Sequence, residues 1–98
     1  MVRVIEIPSE LPGAELVAAG LEDLAAGRTT AASLLVEMAA PRLRGLGLPV
    51  PITGSDQPAG HRLYALLQKT ESSPHSAYNA LIGRAVSFAR AMEHAASR

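Results

Sequence analysis

The side chains that could carry chemistry are few and far apart in the sequence. The histidines are His61, His75 and His94, and the chain has no cysteine. No two histidines have the spacing of a metalloprotease helix, and no Glu-x-x-His di-metal motif is present. The absence of cysteine excludes disulfides, thiol catalysis and thiolate metal ligands. The sequence therefore predicts no metal site, no cofactor and no catalytic residues.

One pair of side chains allows an enzymatic alternative. Arg90 and His94 lie one turn apart on the polar face of the predicted last helix. The pair resembles that of the ribonuclease-type helical toxin domains, four-helix bundles in which four to six residues separate an arginine from a histidine. Only three residues separate them here, so the resemblance is confined to the last helix. The resemblance implies a small nuclease-like domain. The competing interpretation is a solvated helix face on which Arg90 forms an ion pair with Glu93.

Three arginines allow a second alternative, nucleic-acid binding. Arg42, Arg44 and Arg62 would form a basic spot if the second and third predicted helices lie side by side. Binding to a polyanion requires such positive charge to be concentrated. The formal net charge of the chain is zero, which argues against a general attraction to nucleic acid.

The composition is that of one small domain with an aliphatic core. The chain has 98 residues, 48% of them hydrophobic, and its only aromatic residues are two tyrosines and one phenylalanine. Residues 1–27 contain five acidic residues and one arginine, whereas residues 84–98 contain three arginines and one glutamate. The first and last helices are therefore expected to be electrostatic neighbours, either within one chain or across a dimer. No apolar run has the length of a signal peptide core or a membrane span, and a cytoplasmic protein is expected.

Hydrophobic spacing and capping residues predict an all-α fold with an extended arm over 1–11 and a helical body over 12–98. Helices are expected at 12–26, ended by Gly27, then from Thr29 or Thr30, and then at 58–70 and 74–96. Pro41 interrupts the second helix, which either kinks or gives way to a new short helix with Pro41 at its first position. The apolar residues of the connector 48–52 are expected on the surface. Four helices with short links suit an up-and-down bundle.

The helix predicted at 74–96 is expected to organise the rest of the chain. Its apolar residues follow a heptad spacing, and a second apolar stripe beside them exceeds what one core needs. A small core with few aromatic residues often gains stability by burying more surface in an oligomer. The sequence therefore favours a non-enzymatic interaction or assembly module that forms a homodimer through this helix or the arm. The predicted interface residues are Ile82, Gly83, Val86, Ala89, Val50 and Ile52.

Overall fold

The computed structural model describes residues 10–51 and 57–96, and within these ranges every regular element is a helix. The all-α class is therefore confirmed. None of the described helices is long and apolar enough to cross a membrane. Residues 1–9 of the predicted arm, and Ile52 in the connector, lie outside the described residues. The helices are α1 (Ala14–Ala26), α2 (Ala31–Met38), α3 (Ala40–Gly45), α4 (Ala59–Thr70) and α5 (Pro74–Ala96).

Two glycines set the limits of α1. Gly13 precedes the helix with a φ of 76°, in the left-handed region that favours glycine, so α1 begins later than the predicted position 12. A Cβ atom on Gly13 would lie 2.8 Å from the carbonyl oxygen of Arg84. Glycine therefore also allows the start of α1 to approach α5. At the other end, Gly27 closes the helix as predicted, and its N–H donates to the carbonyl of Leu24.

A hydrogen-bonded corner joins α1 to α2. Thr30, one of the two predicted candidates, is the N-cap of α2, and its hydroxyl oxygen accepts from the N–H of Ser33 at 3.1 Å. The same hydroxyl donates to the carboxylate of Asp23 at 2.7 Å, and Arg28 donates to that carboxylate at 2.9 Å. These bonds, that of Thr30 first, lower the pKa of Asp23 below its usual value of 3.8.

Pro41 separates α2 from α3. Of the two predicted outcomes, the structure shows the second: α2 ends at Met38 and a new helix starts at Ala40, with Pro41 at its second position and not at the predicted first. Proline lacks the N–H that a continuing helix needs, but the first turn does not use it. The later helices lie close to their predicted limits, at Ala59–Thr70 and Pro74–Ala96.

The packing is centred on α2, and this corrects the expectation that the last helix organises the chain. Helix α2 packs against α1, α3, α4 and α5. Its central residues Leu34, Leu35 and Val36 are at most 2% exposed. Val36 belongs to a cluster with α1, α3 and α5, whereas Leu34 and Leu35 belong to a second cluster with α4. One short helix thus supplies both halves of the core.

The connector after α3 is also different from the prediction. Leu48 and Val50 were expected on the surface, but they are only 5% and 6% exposed and pack in one cluster with Phe88 of α5. The guanidinium of Arg44 holds the connector back against the domain. It donates to the carbonyl oxygens of Val50 and Pro51, at 3.0 Å each.

Candidate functional site

An open apolar groove lies between α5 and the α2–α3 corner. Its volume is about 150 Å³, which is enough for a group the size of benzene. Its lining is aliphatic apart from one methionine and one arginine. We call it the α5 groove, and it is lined by Met38, Ala39, Arg42, Leu43, Ile82, Ala85, Val86 and Ala89.

The floor and the walls of the α5 groove come from different elements. Leu43 of α3 and Ala89 of α5 are each 2% exposed and close the bottom. Ile82 and Val86 are half-buried on the α5 side. The break at Pro41 starts α3 in the position from which Leu43 contributes to this floor. The shape of the groove therefore depends on the helix break at Pro41.

The cationic group of the groove is already paired. Arg42 forms an ion pair with the carboxylate of Glu93, one turn beyond Ala89 on α5, and the two side chains are 44% and 52% exposed. The lining offers no nucleophile and no general base. An aliphatic groove of this kind binds apolar side chains, because their burial releases water from both surfaces.

The predicted interface residues do not all lie on one surface. Ile82, Val86 and Ala89 line the α5 groove, and Gly83 is exposed beside them on α5 with no atom within 4 Å of an added Cβ. Val50 is part of the core with Phe88. Ile52 lies outside the described residues. The structure thus brings three of the six together in one concave surface.

The three arginines proposed for nucleic-acid contact each have a partner within the chain. Arg42 pairs with Glu93, and Arg44 donates to backbone carbonyls of the connector. Arg62 of α4 pairs with Glu37 of α2 at 2.7 Å. Two of the three positive charges are therefore compensated, so the group does not concentrate positive charge at one site.

Arg90 and His94, the residues of the enzymatic alternative, are both exposed on α5. The expected ion pair between Arg90 and Glu93 is replaced by the pair between Arg42 and Glu93. The reason is the tertiary packing, because α3 places the guanidinium of Arg42 beside Glu93 on the groove side of α5. Among the residues that the structure describes, no three histidine, aspartate or glutamate side chains are grouped so that they could hold a metal ion.

The charge asymmetry of the sequence reappears as a contact between the first and last helices. Glu15 in the first turn of α1 forms an ion pair with Arg84 of α5. The expectation that these helices are electrostatic neighbours is therefore confirmed. The pairings of Arg42 with Glu93 and of Arg62 with Glu37 were missed, because each joins helices whose relative position the sequence does not specify.

Comparisons with protein families, with curated proteins and with solved structures gave no match. The α5 groove and the chemistry of the residues around it are therefore the features that indicate a function.

Proposed function

We propose that the chain is a non-enzymatic helical interaction module that acts as a homodimer through the α5 groove. The observation that carries this proposal is the groove itself, in which Ile82 and Val86 are only half covered by the rest of the chain. Apolar surface of this kind gains free energy when a second surface removes it from water. The proposal includes a cytoplasmic setting, with which the absence of cysteine is compatible.

The exposure of α5 supports the proposal. Helix α5 has 23 residues, yet among its described side chains only those of Phe88 and Ala89 are fully buried. The domain is also thin, with principal extents of 40 × 29 × 19 Å. Thin, small domains bury a modest share of their surface, and a second copy extends the core of each.

The charge of the chain supports self-association over a charged partner. The formal net charge is zero, so two copies do not repel each other as whole molecules. The cation that lines the groove is compensated by Glu93 within the same chain. The surface offered to a partner is therefore mainly apolar.

Substitution of Val86 tests the proposal. The wild-type chain is expected to elute with twice its mass of 10.2 kDa in size-exclusion chromatography with light scattering. Val86→Arg places a charge at the wall of the groove and is expected to give the monomer mass. Ala80→Arg is the matched control, because Ala80 is exposed on α5 and does not line the groove; it should remain dimeric.

Two outcomes would contradict the proposal. A wild-type chain that stays monomeric over the whole concentration range would exclude the homodimer. A Val86→Arg variant that is folded by circular dichroism and still dimeric would show that the α5 groove is not the contact surface.

A further inference from the structure

A stripe of six residues follows the groove side of α5. Its members are separated by four, three, four, three and four positions, which is the spacing of the contact positions in a coiled coil. The middle three line the α5 groove, and the first, second and last are exposed. We call it the groove stripe, and it consists of His75, Asn79, Ile82, Val86, Ala89 and Glu93.

We infer that the partner in the homodimer is a second α5 helix packed antiparallel along the groove stripe, centred near position 84. The inference rests on the proposed homodimer and specifies its geometry. In an antiparallel pair of identical helices, each residue faces the residue of the partner helix that lies equally far from the centre in the opposite direction along the sequence. Ile82 then faces the partner's Val86, and His75 faces the partner's Glu93.

The chemistry of the central and outer matched layers is complementary. The central layers place Ile82 against the partner's Val86 twice, which fills both grooves with branched aliphatic side chains. The next layers place Asn79 above the partner's Ala89, which is only 2% exposed at the floor of the groove and whose small side chain leaves room there. The outer layers place an imidazole of one copy beside a carboxylate of the other, at both ends of the contact.

The charges also select the orientation. A parallel pair in register would bring Glu93 against the partner's Glu93, and these two carboxylates would oppose association. In the antiparallel pair, Glu93 accepts from its own Arg42 and from the partner's His75, as a carboxylate with two oxygens can. On the other side of His75 lies Asn79, whose amide nitrogen is 3.3 Å from Nε2 of the imidazole.

Cysteine pairing tests the orientation, and the chain is suited to it because it has no native cysteine. Ile82→Cys and Val86→Cys proteins are mixed in equal amounts, oxidised gently and weighed intact by mass spectrometry. Antiparallel packing is expected to give mostly the mixed disulfide, well above the half that random pairing yields. Parallel packing would give the two homodisulfides instead. Ala80→Cys mixed with Val86→Cys is the control, and it should show no preference, since Ala80 lies outside the groove stripe.

Charge substitution at His75 tests the outer layers separately. His75→Glu places a carboxylate opposite the partner's Glu93 twice per dimer, and the dissociation constant is expected to rise about tenfold. His75→Lys supplies a positive partner for the partner's Glu93 and should leave the dimer at least as tight as the wild type. If His75 affected only the stability of α5 itself, the glutamate variant would be the more favourable of the two. The reason is that His75 is in the first turn of α5, where a negative charge interacts favourably with the helix dipole and a positive charge does not.

The two proposals fail in different ways. A dimer with mostly homodisulfides, or with equal affinity for the glutamate and lysine variants, would overturn the antiparallel geometry and leave the homodimer standing. A chain that light scattering finds monomeric at all concentrations would overturn both.

Discussion

Replacement of Gly20 by alanine is the sharpest test of how closely α1 and α2 pack. Gly20 lies within α1 and is buried against α2. A Cβ atom at this position would be 2.4 Å from the carbonyl oxygen of Ala32 and 2.4 Å from Cγ2 of Val36. Because one of these atoms belongs to the backbone, a change of side-chain rotamer cannot relieve the contact. The two helices must move apart.

The expected magnitude is the difference between two opposing effects. Alanine in place of glycine inside a helix contributes about 1 kcal/mol of stability. Overpacking of a tight core costs about 1–3 kcal/mol, and a backbone contact favours the upper part of that range. The net effect of Gly20→Ala is therefore a loss of about 1–2 kcal/mol. For a domain of this size each kcal/mol lowers the melting temperature by roughly 4–8 °C.

Gly83→Ala is the matched control, because it makes the same change inside a helix without the contact. Gly83 is exposed on α5, and a Cβ atom there meets nothing within 4 Å. The expected effect is a gain of about 0.5–1 kcal/mol from helix propensity alone. Urea unfolding followed by far-ultraviolet circular dichroism measures both variants, at one low protein concentration so that association does not contribute. A Gly20→Ala variant as stable as Gly83→Ala would refute the close packing of α1 on α2.

Two further substitutions test polar contacts of α2. Thr30→Ala removes the N-cap of α2 and should cost about 1 kcal/mol, whereas Thr30→Ser should cost little. Thr30 also lowers the pKa of Asp23, so that carboxylate contributes stability above its usual value of 3.8 that is lost as the pH falls through the lowered value. The difference between the urea midpoints of wild type and Thr30→Ala should therefore narrow as the pH falls below 3.8, leaving only the contribution of the N-cap bond to Ser33, and a constant difference would contradict this. Glu37→Gln leaves Arg62 without its charge partner at a site where the two side chains are 13% and 25% exposed, and we expect a loss of about 1–3 kcal/mol. Glu22→Gln, at an 80% exposed position, should change the urea midpoint little, and equal effects of the two variants would contradict the argument from burial.

The features that the sequence predicted well are local. The limits of α5, the N-cap at Thr30 and the closing glycine Gly27 depend on residues within one or two turns of each other. The break at Pro41 is of the same kind, because the missing N–H of proline acts within its own helix. Such signals do not require knowledge of which helix lies beside which.

The features that were missed depend on contacts between distant parts of the chain. The connector around Val50 was expected at the surface, and only the hydrogen bonds from Arg44 and the position of Phe88 explain its burial. Glu93 was assigned to a neighbour on its own helix, whereas Arg42, far away in sequence, is its partner. For the α5 groove the sequence indicated the residues that α5 contributes, Ile82, Val86 and Ala89, but not those from α2 and α3.

The relative lengths of α3 and α5 explain why the α5 groove exists. Helix α3 has six residues and is about 9 Å long, whereas α5 has 23 residues and is about 34 Å long. Helix α3 can therefore cover only part of the groove side of α5, and Ile82 and Val86 lie where this cover is incomplete. The length of α3 is set at one end by Pro41, which starts it, and at the other by the turn through Gly47, which has a φ of 92°. A chain that continued α2 without a break would place different side chains opposite α5. The apolar stripe of the last helix and the proline of the second predicted helix therefore act together to form the groove.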